Sequence, residues 1–150
     1  MILLDTDHLS LLQDRDTPVA FALQARLETF SPDEVVTTVI TLEEQMRGWL
    51  ALIHRVTDAQ RQVAYDERLL GLVAFFAEWE VLPFDQHAAV TFERLRQQRV
   101  RIGTMDLKIA AIALRHNALV LSGNLRDFQQ VPGLDVEDWR SEPFPPQRPQ

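Results

Sequence analysis

Ile2-Leu3-Leu4 and Ala118-Leu119-Val120-Leu121 are short runs without a polar residue, and Val35 to Ile40 is β-branched throughout. Strands wetted on one face alternate apolar with polar residues. Strands that do not alternate are buried on both faces, as in a parallel sheet covered by helices. Long stretches of helical periodicity separate these runs, so the chain is expected to be an α/β protein built around a mainly parallel central sheet.

Local signals set the expected boundaries. Asp7 reads as the N-cap of a short helix through Leu12, and Thr17-Pro18 opens a second helix that runs to Phe30 and stops at Ser31-Pro32-Asp33. Thr41-Leu42-Glu43-Glu44 matches a capping box, which predicts a helix starting there and passing Met46 and Trp49. Periodicity over 59–77 and 85–98 predicts two helices flanking a short strand at Val81-Leu82-Pro83. Residues 101–105 read as a loop into an Ala-rich helix, Asp106 to Leu114, apolar on most sides and therefore buried. Leu134-Asp135-Val136 is a candidate edge strand. One domain over 1–140 accounts for these elements, and the Pro- and Gln-rich stretch 141–150 is expected to be a disordered tail.

Several function classes drop out on composition. Without cysteine there is neither a disulfide framework nor a thiolate metal site. Met1 to Asp5 carries no export signal, and no apolar run reaches the roughly 20 residues of a membrane helix, so a cytoplasmic, membrane-free protein is expected. The net charge of −7 argues against a protein that holds nucleic acid by its overall field. Locally the balance reverses, because Arg94, Arg96, Arg99, Arg101 and Lys108 face only Glu93 and Asp106 over the same stretch. That run reads either as a solvated helix face or as a phosphate-contacting flank.

The acids carry the chemistry. Sites in parallel sheets form beyond the carboxyl ends of the strands, and Asp5, Glu44 and Asn124 or Asp127 closely follow predicted strands. Asp106 opens the buried helix. Each has a structural alternative: Asp5 as a helix cap, Glu44 as the partner of Thr41 in the capping box, Asp106 as a dipole residue, and Asn124 and Asp127 as turn formers. Brought together, these carboxylates repel unless protons or divalent cations neutralise them, and oxygen ligands select Mg²⁺ or Mn²⁺. Such an ion can activate water and stabilise a leaving oxygen, which is the chemistry of a nuclease. His8, His54, His87 and His116 show no metal-ligand spacing and read as structural or surface residues.

Four segments in series, Ile2-Leu3-Leu4-Asp5-Thr6-Asp7, Val39 to Gly48, Gly103 to Ala111 and Leu121 to Phe128, with the closing Val131 to Trp139, resemble the ordered motifs of PIN-domain ribonucleases. The similarity is to VapC-like toxins of toxin–antitoxin pairs and spans about residues 1 to 139. The resemblance implies a three-layer α/β/α sandwich, Mg²⁺ or Mn²⁺ as cofactor, RNA cleavage, a cognate antitoxin and a homodimer. It makes Asp5 and Asp106 metal-binding acids, and its Thr-x-x-Glu and Glu-x-x-x-Gly spacings select Glu44 over the adjacent Glu43. Asn124 stands where many members have an acid, leaving its carbonyl oxygen as a ligand, with Asp127 or Asp7 as a replacement charge. Thr6 and Ser122 are expected to hydrogen-bond the acids or a phosphate, and Arg99, Arg101 and Lys108 to meet the RNA backbone. Two other readings remain open: a degenerate PIN domain that only binds, favoured by Asn124, and a haloacid-dehalogenase-like phosphatase, favoured by Asp5-Thr6-Asp7 alone.

Overall fold

The computed structural model describes residues 1–14 and 16–141. In chain order it contains β1 (Ile2–Leu4), α1 (Thr6–Gln13), α2 (Pro18–Leu27), a 3-10 turn (Pro32–Glu34), β2 (Val35–Thr38), α3 (Val39–Arg55), α4 (Ala59–Ala77) and β3 (Glu80–Leu82). There follow α5 (Gln86–Gln97), α6 (Thr104–His116), β4 (Leu119–Leu121), α7 (Leu125–Phe128) and β5 (Val136–Glu137). Of the expected tail 141–150, all but Ser141 lies outside the described residues.

The five strands form one sheet in the order β3-β2-β1-β4-β5, and every neighbouring pair is parallel. Both faces are buried, as the unbroken apolar strands predicted. Leu3, Val36 and Val120 point into a core with Leu95 of α5 and Ile109 to Ala113 of α6. Ile2, Leu4 and Leu121 point the other way, onto Leu9, Leu12, Leu23, Leu27, Leu72, Phe76 and Trp139. Helices therefore cover the sheet from two sides, giving the α/β/α sandwich.

The chain leaves β1 towards β2 and β3, then returns to the opposite side of β1 to lay down β4 and β5. The carboxyl ends of β1 and β4 thus flank the point where the order reverses, where connecting segments part and leave a crevice.

Four boundaries differ from expectation. Asp5, not Asp7, is the N-cap of α1, accepting from Thr6 N–H at 2.7 Å. β2 ends at Thr38 rather than Ile40, because the Thr38 hydroxyl accepts from Thr41 N–H at 3.1 Å and starts α3 three residues before the expected cap. Thr41 is consequently buried inside the helix, and Glu44 is released from any capping duty. α2 stops at Leu27, and Phe30 instead stacks on Trp139 with ring centroids 6.2 Å apart. The edge strand is Val136–Glu137, shifted two residues from its expected start. No helix of the described residues is long and apolar enough to cross a membrane.

Candidate active site

Asp5 is the first residue past β1, and its backbone N–H still donates to Leu121 of β4 at 3.0 Å. Its side chain is buried between the two strand ends. One carboxylate oxygen accepts from Thr6 N–H, and the other accepts from the Ser122 hydroxyl at 2.7 Å. Ser122 is itself fixed, its oxygen accepting from Asn124 N–H at 3.1 Å. Burial pushes the Asp5 pKa up to about 6, against the pull of these two hydrogen bonds and with added repulsion from Asp7 and Asp106.

Three further elements bring acids to the same place. Glu44, half-buried on the second turn of α3, accepts from the Thr6 hydroxyl at 2.5 Å. Asp106 lies in the first turn of α6, whose N-cap Gly103 offers no side-chain acceptor. Burial raises the Asp106 pKa, opposed by the Asn124 amide and reinforced by Glu44, Asp127 and Asp7. Asn124 bridges two acids, its amide nitrogen donating to Asp106 at 2.8 Å and to Asp127 at 3.1 Å. It is the amide nitrogen, not the carbonyl oxygen, that faces the carboxylates.

Asp7 behaves differently. Burial raises its pKa, but donation from His8 and Gly123 N–H and the charge of Arg140 outweigh this and hold it below the usual range. Its oxygens accept from His8 Nδ1 at 2.8 Å, His8 N–H at 2.7 Å and Gly123 N–H at 2.7 Å, so it anchors the α1 and β4 ends to each other. His8 is wholly buried, with Nε2 accepting from Trp139 N–H at 3.0 Å, a structural residue as expected.

The donor set suits a hard divalent ion. Asp5, Glu44, Asp106 and Asp127 all offer carboxylate oxygens, and Asp5 and Asp106 are raised in pKa chiefly by burial, with neighbouring acids adding to it. Among the described residues no three acids or histidines are already drawn into a closed metal cage. Between Asp106 and Asp127 the Asn124 amide supplies the positive end that an ion would otherwise provide.

Glu43 turns outward to Arg47 and leaves Glu44 as the acid on the site side. The structure does not join Arg99, Arg101 or Lys108 to the acids. Arg99, with a left-handed φ of 60°, and Arg101 line a separate pocket of about 470 Å³ with Arg96 and Thr104. The Lys108 ammonium lies 5.5 Å above the Phe84 ring.

Arg140 was not anticipated. Its Nη1 is 3.3 Å from Asp7, while Asp138 grips it through two hydrogen bonds of 2.9 Å. Gly123 makes room for it, since an added Cβ would overlap the guanidinium. Neither Trp139-Arg140 nor Gly123-Asn124 forms a pattern that announces this contact.

Comparison with known proteins follows the same course. The profile of the PIN domain matches residues 2–134. A tRNA(fMet)-specific endonuclease VapC of Salmonella typhimurium is 31% identical over 94 residues, covering 60% of this chain and 71% of that protein. Ribonuclease VapC5 of Mycobacterium tuberculosis is 40% identical over 112 residues, 71% of this chain and 75% of that protein. Among solved structures, DNA-bound VapBC from Salmonella typhimurium superimposes with a TM-score of 0.65 at 25% identity, over 93% of this chain and 99% of that one. The phosphatase reading falls with this match. A profile that runs through every element carrying the acids, joined by relatives of this similarity, shows that the chain belongs to the PIN domain family and is of the VapC-like kind.

Proposed function

We propose that this chain is an endoribonuclease that hydrolyses RNA phosphodiester bonds with Mg²⁺ or Mn²⁺, and is the toxin of a VapBC-like pair. The carrying observation is the meeting of Asp5, Glu44, Asp106 and Asp127, from four separate elements, at the carboxyl edge of the sheet, with Asp5 and Asp106 both raised in pKa. The ribonuclease names of the relatives and the VapBC likeness support the reading.

Asp5, Glu44 and Asp106 would hold the ion, with Asn124 able to join only by turning its amide over. Bound there, the ion supplies a Lewis acid for the scissile phosphate and lowers the pKa of an attacking water. Ser122 and Thr6 keep the Asp5 and Glu44 carboxylates in fixed rotamers, so little order is lost when substrate arrives. In this reading Asp127, half-buried and across Asn124 from Asp106, is the acid that would accept a proton from the attacking water. Arg99, Arg101 and Lys108 contact the backbone of the RNA away from the cut. An antitoxin and a second copy of the chain are the partners of the same reading.

The test is RNA cleavage by Asp5→Asn and Asp106→Asn in the presence of Mn²⁺. Each is expected to fall by at least about a hundredfold with the fold kept, since charge is removed but little volume. Activity within a factor of a few of the parent would sink the assignment. A degenerate, binding-only domain is separated by Mn²⁺ titration, because it would show no affinity for the ion and no stabilisation by it.

A further inference from the structure

The cleavage chemistry leaves one charged group beside the acids without a task. Arg140 follows Trp139, which is buried and pinned through its N–H to His8. Asp138 then fixes the guanidinium itself: Oδ1 accepts from Nε and Oδ2 from Nη2. Nη1 reaches Oδ2 of Asp7, which is held by His8 and Gly123. A guanidinium carries five N–H groups. Nε and Nη2 donate one each to Asp138 and Nη1 stands in ion-pair contact with Asp7, so donors remain on Nη1 and Nη2 of a side chain that is still 38% exposed. The result is a cation ordered in advance at the border of an acidic centre, with donors to spare.

An acidic cluster in a chain of net charge −7 repels the polyanion it is proposed to cut. A fixed guanidinium at its edge counters this, and it binds phosphate with two donors where an ammonium offers a point charge. Prior ordering by Asp138 also removes much of the rotamer cost that a free surface arginine incurs on binding. We infer that Arg140 is a substrate-binding residue, contacting a phosphodiester of the RNA next to the acid cluster and holding the strand while the acids act on the neighbouring bond. This rests on the ribonuclease reading above.

The test uses the full chain carrying Asp106→Asn to stop cleavage, with fluorescently labelled bulk transfer RNA as probe and binding measured across a salt series. Adding Arg140→Gln should weaken binding about tenfold and reduce the slope of log affinity against log salt by about 0.7. Arg140→Lys, which keeps the charge and loses the fork, should restore the slope but not the full affinity. Asp138→Asn, which leaves Arg140 in place but loosely held, should cost less affinity than Arg140→Gln at an unchanged slope. In the chain with intact acids, Arg140→Gln should tighten Mn²⁺ binding several-fold, because a positive charge has left the acids, whereas collapse of the C-terminal segment would weaken it.

Unchanged RNA affinity and salt slope in Arg140→Gln would overturn the inference. So would equal losses in the Gln and Lys variants together with weaker Mn²⁺ binding, which would make Arg140 a structural tie only. Tighter RNA binding or faster cleavage would also overturn it, showing a guanidinium that shields the acids. A parent without RNA affinity would bring down the ribonuclease reading itself, and this inference with it.

Discussion

Asp5 carries two opposed demands, being placed at a strand end by the sheet and stripped of water by the same placement. Its pKa of about 6 lies above the 3.8 of a free side chain, so the folded protein binds this proton more tightly than the unfolded one. The Asp5 contribution to stability is therefore complete below pH ~4 and lost as pH rises through about 6, by on the order of 3 kcal/mol. Chemical denaturation of the metal-free protein between pH 4 and 7 should show this loss together with that of Asp106, whose pKa is also raised, and Asp5→Asn should remove the Asp5 share. Asp7 and Asp138, whose pKa values are lowered, act in the opposite direction and are present in both proteins. A parent and variant with parallel profiles would remove the burial penalty from Asp5. At this scale Asp5 was legible as a charge directly after a buried strand, although it caps α1 as well, while Glu44, Asp106 and Asp127 stand on helices where pattern alone left a structural alternative. Arg140 was not, because its meaning depends on Asp7, Gly123 and Asp138, which meet only once the sheet has formed.

Among the elements, α3 shows how tertiary structure overrides local pattern. Val39 and Ile40 continue a β-branched run, yet they are helical because Thr38, wedged at the end of β2, takes the first turn's N–H. Thr38→Ala should cost about 1 kcal/mol in urea unfolding, and a neutral result would place the cap elsewhere. The three-residue shift matters for the site, since it turns Glu44 to Thr6 and Glu43 to Arg47. Strand and helix identities were readable because burial on both faces writes itself as unbroken apolar runs. Their ends were less so, because caps such as Asp5 and Thr38 are chosen by neighbours distant in sequence. The turn after β4 offers a second check. In Gly123→Ala the end of the long Arg140 side chain is forced aside rather than the backbone, so the melting temperature should fall by only about 2–4 °C, while RNA binding declines by less than in Arg140→Gln because the charge stays. Loss of the fold would show that the turn itself cannot accept a side chain.

For the whole molecule, Mn²⁺ should raise the melting temperature and chelator should lower it at neutral pH, since an ion that binds only the folded state stabilises it by mass action. Identical midpoints at millimolar metal would count against a metal centre. Exposed Leu50 and Leu52 on α3 and Leu70 and Val73 on α4 give the proposed homodimer an apolar motive, whereas Phe76 of α4 is spent in the core. Light scattering at micromolar concentration should read twice the 17.3 kDa chain mass, and a single-chain mass would refute the dimer. The strand order carries one more consequence, which concerns the ribosome. β1 is made first, yet its partner β4 and the ties at Trp139 and Arg140 are made more than a hundred residues later. Loop closure over such a distance is slow. Ser122 at the end of β4 therefore reaches Asp5, and Asn124 reaches Asp106, only when synthesis of the domain is nearly done, so a growing chain that ends before β4 carries its acids without these ties.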